Sequence, residues 1–462
     1  MGGRETVTGR SRRAAPNRAG EGAGMPRRSA AADFRYDTGP AAIPWAAVGE
    51  HLGVGDVMDL VRFLLPAGAD RAAYRRRLAQ ARRALERLRE AAGPAAKLTL
   101  GRQVQGLEEE AKRFLGVKHA VFLTSATAAF EIAYQMAGLG PGDEVIAPAI
   151  TFIATIVYPL AIGAKVVLAD VDPATLNVDP ADVARKITRR TRAIIPVHIG
   201  GYPAEMAPIM RLARARAIMV IEDAAHAYGA VYHGRMAGTI GHFGAFSFHE
   251  VKNITSLGEG GLLVTNTPYG RDLARARFVG LDSSRRIPNW LYDVRAIRGR
   301  GGAFAAGNHS ATEIQAVALL SQMRRLRRII AARRRAAEYL TRRFSRVPGI
   351  ITPLPDTQTT RSTHHLYLLQ VDPQIVGGTI QDLKPKLAAR GITNIPHFAP
   401  LYQFALMREL GYDTEAMARA CPHAEEVFNR RFTHLPLYDF TRAQLKYMAD
   451  AVIAAVNELR GR

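Results

Sequence analysis

Cysteine is almost absent from this chain of 462 residues, whose only cysteine is Cys421. A single cysteine excludes an intramolecular disulfide and a cysteine-built metal site, and it fits a reducing cytoplasm. Acidic residues are also few, since 41 Asp and Glu face 63 Lys and Arg, for a net charge of +22. The first residues, MGGRETVTGRSRR, are charged but no apolar segment follows them, so we predict no signal peptide.

Uninterrupted apolar runs are rare as well. Residues 145–164 are long enough to cross a bilayer, but they are interrupted by Pro148, Thr151, Thr155 and Pro159. A short strand, a turn and a buried helix are therefore predicted there, and no membrane contact is expected. The positive charge suggests a nucleic-acid partner, yet arginines are spread along the whole chain, as genome composition often causes. We therefore expect no nucleic-acid partner.

The residue composition and the apolar pattern change at three places along the chain. Residues 1–40, rich in Arg, Gly, Ala, Pro and Ser, are predicted to be a disordered basic tail. Residues 41–97 show two helical patterns and are predicted to be a helical N-terminal extension. Residues 98–290 are predicted to form a large cofactor-binding domain, and residues 291–462 a small C-terminal domain.

Short apolar runs alternate with helical patterns from residue 98 onward. The runs that predict strands are HAVFLT, VIAP, KVVLADV, AIIPVHI, IMVIEDA, FGAFSF and GGLLVTN. This alternation favours an α/β fold, with a mostly parallel sheet between helices. Beyond residue 290, a long helix over 310–345, strands at LYLLQVD and ITNIPHF, and helices at QDLKPKLAARG and at the C-terminus predict a smaller α+β domain.

Reactive and anion-binding residues follow several of these runs. Asp223 comes directly after an apolar strand pattern, at the place where open α/β sheets bind ligands. Lys252 lies between FSF and a glycine-rich GEGG, and burial there would make its amine nucleophilic. Small residues stand between a strand and a helix, where free N–H groups favour anions; they are Ser125, Ala126 and Thr127.

Together these residues offer what pyridoxal phosphate requires of a protein. A lysine forms a Schiff base with it, a carboxylate keeps its pyridine nitrogen protonated, and a helix start or a hydroxyl such as that of Ser247 holds its phosphate. Phe152 could stack on its ring. Each residue alone also has a structural interpretation, as a helix cap for Asp223, an exposed loop residue for Lys252 and core packing for Phe152.

The motifs resemble one family from about residue 98 to the C-terminus. In order they are GRQVQGLEEEAKRFLGVKHAV, TSATAAFEIAY, LGPGDEVIAPAITFIATI, VVLADVDPATLNVDP, IIPVHIGGYPAEM, VIEDAAHAYGA, FGAFSFHEVKNITSLGEGGLLVTN, NHSATEIQAVAL and LPLY. On these motifs the chain resembles the DegT/StrS-type sugar aminotransferases, which are fold-type I pyridoxal-phosphate enzymes. The resemblance implies pyridoxal 5'-phosphate as the cofactor, no metal, and a homodimer with shared active sites.

The resemblance also implies a role for each residue. Lys252 would hold the cofactor and act as general base, and Asp223 would bind the pyridine nitrogen. The other cofactor contacts would come from Ser125, Ala126, Thr127, Phe152, His226, Ser247 and Asn308. Asn308 would reach the phosphate of the neighbouring subunit. Substrate contacts would come from His249, Arg285, Arg286 and His397. A sugar diphosphate could also meet the basic segment that continues to Arg300.

The chain departs from the family pattern at two places. The family usually has glycine where this chain has Ala126, and alanine keeps the amide that a phosphate needs. The family often has Tyr-Arg where this chain has His309 and Ser310, so the substrate contacts differ. One branch of the family has histidine in place of the lysine and dehydrates its sugar, and Lys252 argues against that branch.

We therefore predict a cytoplasmic transaminase that moves an amino group from glutamate or glutamine to a keto sugar. A nucleotide-linked keto-deoxy sugar is favoured, in polysaccharide or amino-sugar biosynthesis. A cyclitol or keto-sugar-phosphate transaminase and a sugar dehydratase stay open, because one scaffold serves all of them. An alternative of another class is a basic regulatory or nucleic-acid-binding protein without catalysis.

Overall fold

The computed structural model describes residues 52–93, 98–282, 293–394 and 398–461. The predicted tail, residues 1–40, lies outside the described residues. The helices are α1 Val54–Leu64, α2 Arg71–Glu90, α3 Arg102–Leu115, α4 Ala126–Ala137, α5 Val157–Ala161, α6 Pro180–Lys186, α7 Met206–Arg216, α8 Leu273–Arg277, α9 Glu313–Met323, α10 Leu326–Phe344, α11 Pro373–Val376, α12 Ile380–Ala389, α13 Ala405–Glu409, α14 Thr414–Arg419, α15 Pro422–Glu426 and α16 Arg442–Leu459. The strands are β1 His119–Leu123, β2 Glu144–Pro148, β3 Lys165–Ala169, β4 Thr191–Ile194, β5 Met219–Asp223, β6 Val231–Tyr232, β7 Arg235–Met236, β8 Phe243–Ser247, β9 Gly261–Thr265, β10 Ile297–Gly299, β11 Gly302–Phe304, β12 Ile350–Ile351, β13 Leu366–Val371 and β14 Phe432–Pro436.

A seven-stranded sheet, counted over the described residues, forms the centre of the larger domain in the order β1-β9-β8-β5-β4-β2-β3. Neighbouring strands from β3 to β8 are parallel, and β9 is antiparallel to both of its neighbours. Alternate residues of a strand face opposite sides, so Val145 and Ala147 pack with α4 while Ile146 packs with α7. Helices therefore cover both faces, which confirms the predicted fold class.

The parallel strands place their carboxyl ends along one edge of this sheet. β2, β4, β5 and β8 end there, and β1 does too, because it is also antiparallel to β9. Phe152 follows β2, Ser125 follows β1, Lys252 follows β8, and Asp223 ends β5. The topology thus gathers residues from distant parts of the sequence at one edge.

A second sheet, β12-β13-β14, is three-stranded and antiparallel within the part of the chain that the structure describes. This sheet and the helices α10, α12 and α16 that pack on it are called the smaller domain. Its core includes Leu340 of α10, Leu383 of α12 and Val452 of α16. The single helix predicted over 310–345 is two helices, α9 and α10, and β14 is not predicted from the sequence. The strand predicted at ITNIPHF is wrong for residues 392–394, while 395–397 lie outside the described residues.

The apolar run of residues 145–164 forms β2, a short 3-10 turn at Ile153–Thr155 and the helix α5. This is the strand, turn and helix that its prolines and threonines predict. None of the helices in the described ranges is long and apolar enough to span a membrane.

A carboxylate of α9 caps α3, the first helix of the larger domain. Glu313 Oε1 accepts from Gly101 N at 2.8 Å and Val104 N at 3.2 Å, and its Oε2 accepts from Gln103 N at 2.8 Å. The negative charge opposes the positive end of the helix dipole and pairs N–H groups that have no partner inside the helix. Because the side chain is buried, it joins α3 to α9 away from water.

Glu313→Ala is expected to lower the free energy of unfolding by about 2 kcal/mol, because three backbone donors lose a charged acceptor. Chemical denaturation of the apoprotein measures the change. The control Glu415→Ala removes a carboxylate that is 87% exposed and 3.6 Å from Arg419. The control should change stability by less than about 0.5 kcal/mol. Equal losses in the two variants would contradict the capping role.

Candidate active site

Asp223 is the last residue of β5, and its carboxylate is buried. Its Oδ2 accepts a hydrogen bond from Thr155 Oγ1 at 2.8 Å, and its Oδ1 accepts one from the Ala225 amide at 3.0 Å. Burial raises the pKa of Asp223, while these two hydrogen bonds act in the opposite direction. A buried carboxylate held in this way favours a cationic partner.

Lys252 lies in the loop between β8 and β9. Burial lowers the pKa of Lys252 to about 8, although the charge of Asp223 acts against this. Gln322 of α9 fixes the loop through the backbone of Thr255: its Oε1 accepts from Thr255 N at 3.0 Å, and its Nε2 donates to Thr255 O at 2.6 Å. An amine with this pKa is a better nucleophile at neutral pH than an ordinary lysine.

The junction between β1 and α4 has the geometry of an anion site. Ser125 caps α4, because its Oγ accepts a hydrogen bond from the Ala128 amide at 3.1 Å. The amides of Ala126 and Thr127 lie in the first turn, where N–H groups have no partner within the helix. Such groups, together with the helix dipole, favour a bound phosphate.

Glycine at position 261 allows Ser247 to approach this junction. Gly261 of β9 pairs with Leu123 of β1 on one side and with Ser247 of β8 on the other. A Cβ on Gly261 would lie 2.2 Å from the carbonyl carbon of Ser125 and 2.5 Å from Ala126 N. No side chain fits that space, so the glycine-rich GEGG is what lets β9 pass beneath the start of α4.

Aromatic rings form a connected row beside these residues. His226 stacks on His365 with 4.3 Å between ring centroids, and on Phe398 with 5.4 Å. Phe398 in turn contacts Phe152 edge-on at 6.3 Å. Phe152 directly precedes the 3-10 turn Ile153–Thr155. Its side chain is 56% exposed, which leaves ring surface for a flat ligand.

Of the four residues predicted to contact substrate, only His249 lies within the described residues. Arg285, Arg286 and His397 lie outside the described residues. His249 lies in the Lys252 loop with its ring partly exposed, 3.6 Å from Glu259. The structure therefore brings one of the four predicted substrate residues into the neighbourhood of Lys252.

Asn308 lies near the first turn of α4, whereas the basic hairpin formed by β10 and β11 lies near its last turn. Asn308 is exposed. It lies near the end of β1, since the carbonyl of the next residue, His309, accepts a hydrogen bond from Thr124 N at 3.0 Å. Arg300 N donates to Met136 O at 2.9 Å, near the last turn of α4. That turn is about 15 Å from the first one. The hairpin therefore does not bring its arginines to the anion site of the same chain.

Three residues at this edge are not predicted from the sequence: Thr155, Asn253 and His365. Thr155 bonds Asp223, and Asn253 Oδ1 lies 2.9 Å from His365 Nδ1. Each lies next to a feature that the sequence does show. Thr155 ends the TFIAT motif, Asn253 directly follows Lys252, and His365 directly precedes the strand run LYLLQVD. No local pattern shows which partner each of them meets.

The model of the DegT/DnrJ/EryC1/StrS aminotransferase family matches residues 80–453. The chain belongs to this family. The match begins inside α2, so it includes part of the segment that the sequence assigned to an extension. The spore coat polysaccharide biosynthesis protein SpsC of Bacillus subtilis is 35% identical over 355 residues, which are 74% of this chain and 86% of the relative. The GDP-perosamine synthase of Caulobacter vibrioides is 35% identical over 324 residues, which are 70% and 83%.

A solved structure of the PLP form of a Streptococcus pneumoniae protein described as a sugar aminotransferase has the same fold. It is 26% identical, with a TM-score of 0.69, over 78% of this chain and 93% of its own. This chain is therefore a pyridoxal-phosphate-dependent transaminase, which confirms the predicted family, activity and cofactor.

The residues of this aminotransferase fit the cofactor. The ring nitrogen needs a carboxylate, the aldehyde needs an amine, and the phosphate needs N–H and O–H donors. Asp223, Lys252 and the first turn of α4 have these chemistries, and all three lie at the carboxyl edge of one sheet. The close approach of Gly261 to Ser125 joins the lysine loop to the anion site.

The rate at which pyridoxal phosphate attaches to Lys252 of the apoenzyme should rise with pH and level off, with a midpoint near 8. The amine must lose its proton before it attacks the aldehyde, and burial lowers the pKa of Lys252 to about 8. Stopped-flow absorbance measures the rate, with Lys252→Arg as the control that lacks this phase. A midpoint at the ordinary lysine pKa of 10.5 would show that burial does not activate the amine.

Proposed function

We propose that this aminotransferase moves an amino group from glutamate or glutamine to the carbonyl of a nucleotide-linked keto sugar in the cytoplasm. The observation that carries the proposal is the buried carboxylate of Asp223 at the end of β5, with Lys252 in the loop that follows the neighbouring parallel strand β8. The sugar class is supported by the relatives, since one is a GDP-perosamine synthase and another a polysaccharide biosynthesis protein.

Pyridoxal phosphate, when bound, withdraws electrons from the carbon that carries the amino group. Asp223 would keep the proton on the ring nitrogen, and the hydrogen bonds from Thr155 and Ala225 favour its ionised form. Lys252 would take a proton from the α-carbon of the donor and return a proton on the cofactor side. With its pKa lowered to about 8, Lys252 can accept and donate a proton near neutral pH.

The start of α4 would hold the phosphate through the amides of Ala126 and Thr127 and the hydroxyls of Ser125 and Ser247. A hydroxyl that accepts from the Ala128 amide can still donate its own proton, so Ser125 can cap α4 and bind an anion at once. Alanine in place of the family's glycine keeps the amide that this role needs. Contacts to the ring would come from Phe152 by stacking and from His226 at the ring hydroxyl, as the family resemblance implies.

We further propose a homodimer in which each chain completes the site of the other. Apolar side chains remain exposed on the Lys252 loop and on α9, where Val251 is 57%, Leu257 48% and Val317 51% exposed. The loop and α9 are joined by the Gln322 hydrogen bonds, so these side chains belong to neighbouring parts of the surface. Such a group, together with the exposed Asn308, fits an interface between two copies.

The purified enzyme with pyridoxal phosphate should show a yellow absorbance band that glutamate or glutamine bleaches. Lys252→Ala should lack this band and lose about 10²–10⁴-fold in turnover, because the general base is gone. The control Lys118→Ala removes an exposed lysine and should behave as wild type. Return of the band with a nucleotide-linked keto sugar, and not with a cyclitol ketone, supports the substrate class. A band that survives in Lys252→Ala would refute the lysine assignment.

A mixture of two inactive variants tests the shared site. Lys252→Ala and Asn308→Asp are expected to be inactive separately, the second because a carboxylate repels the phosphate. In a mixed dimer, one of the two sites has both native residues only if Asn308 serves the partner. Refolding the two variants together should then restore about a quarter of the wild-type activity. No recovery in mixed dimers, separated by two affinity tags, would place Asn308 in the site of its own chain.

A further inference from the structure

Asn253, the residue after Lys252, is held by two groups of one segment, residues 363–365. Its Nδ2 donates to the Thr363 carbonyl at 3.2 Å, and its Oδ1 lies 2.9 Å from His365 Nδ1. A carbonyl oxygen can only accept a hydrogen bond, so the amide must turn Nδ2 towards Thr363 and Oδ1 towards His365. His365 therefore carries a proton on Nδ1 and donates it to Asn253.

The same segment is bound to the turn that follows Asp223. Thr363 Oγ1 donates to the carbonyl of His226 at 2.6 Å, and the His226 ring stacks on His365. The amides of Thr363 and His365 donate to the carbonyls of Gly201 at 3.1 Å and Gly200 at 2.9 Å. A Cβ on Gly201 would lie 2.0 Å from Thr363 Oγ1, and its φ is +91°, so glycine is required for this approach.

Arg333 of α10 holds the segment from the smaller domain. Its Nη1 donates to the carbonyl of His365 at 3.2 Å and also to the carbonyl of Leu437. The guanidinium is buried, and its carbon lies 5.9 Å from the centre of the Tyr438 ring. A continuous series of contacts therefore runs from the smaller domain through His365 and Asn253 to the lysine loop.

We propose that His365 and Asn253 are positioning residues for the cofactor lysine. Their hydrogen bond fixes the backbone next to Lys252 and thereby the direction of its amine relative to Asp223. The inference rests on the proposed role of Lys252 and adds that the smaller domain controls its geometry. The effect of both residues passes through Lys252, so neither is assigned a part in the chemistry itself.

Two substitutions at His365 separate its hydrogen bond from its ring. His365→Phe keeps a ring against His226 and loses the Nδ1 donor, whereas His365→Asn keeps a donor near the Nδ1 position and loses the ring. The rate of pyridoxal-phosphate attachment to the apoenzyme should fall about tenfold in His365→Phe, the effect of one hydrogen bond of about 1.4 kcal/mol. It should stay within about threefold of wild type in His365→Asn. A larger loss of rate in His365→Asn than in His365→Phe would overturn the proposal and assign the effect to the ring contact.

Asn253→Ala should cause at least the loss seen in His365→Phe, because it removes the partner of that hydrogen bond and also the bond to the Thr363 carbonyl. The double variant should then be no slower than Asn253→Ala alone. Losses that multiply to about a hundredfold would mean that the two residues act independently, and would overturn the proposal. The pH midpoint of attachment should stay near the wild-type value, since only the direction of the amine changes. A midpoint displaced towards that of an exposed lysine would show an opened pocket instead of a misplaced amine.

The matched control is His364→Asn, which removes the neighbouring imidazole. His364 Nε2 lies 3.2 Å from Asp356, and asparagine tolerates its φ of +49°. This variant should attach the cofactor at the wild-type rate, and thermal melting of each apoprotein shows whether it is folded. Failure of wild-type Lys252 to attach the cofactor would refute the proposed function. Normal attachment in wild type, His365→Phe and Asn253→Ala alike would refute only the positioning role.

Discussion

The carboxylate of Asp223 and the amine of Lys252 lie at the same edge of the central sheet, close enough for each charge to influence the other. Burial raises the pKa of Asp223 and lowers that of Lys252, while each charge opposes the shift of the other. Asp223 is the last residue of a buried strand, and its carboxylate accepts a hydrogen bond from the hydroxyl of Thr155. A protonated pyridine ring would supply the positive charge that this carboxylate favours, which makes the edge of the sheet suitable for pyridoxal phosphate.

The placement of β9 connects the parts of the site. Because β9 runs antiparallel between β1 and β8, the chain returns from the lysine loop directly beneath the start of α4. Gly261 is the residue at the crossing, where a Cβ would overlap the backbone of Ser125. The anion site and the lysine loop are thus joined at this crossing, which would fix the position of a phosphate bound at α4 relative to the loop of Lys252.

Elements on two sides hold the lysine loop. On one side Gln322 of α9 bonds the backbone of Thr255, and the same helix caps α3 through Glu313. On the other side residues 363–365 bond Asn253, and Arg333 ties them to the smaller domain. The lysine is therefore positioned by elements that lie outside the motif in which it occurs, so that a shift in either can alter reactivity without a change at the cofactor.

The sequence by itself determined the fold class and the chemistry, because both depend on local patterns. Apolar runs predict the strands, and motifs around Asp223 and Lys252 identify the family. Only the tertiary structure decided the partners: Thr155 meets Asp223 across 68 positions, and Asn253 meets His365 across 112. These pairs depend on which loops the order β1-β9-β8-β5-β4-β2-β3 brings to one edge. That order follows from the packing of the whole chain, so no segment contains it, and the same holds for β14, which forms by pairing with the distant β13.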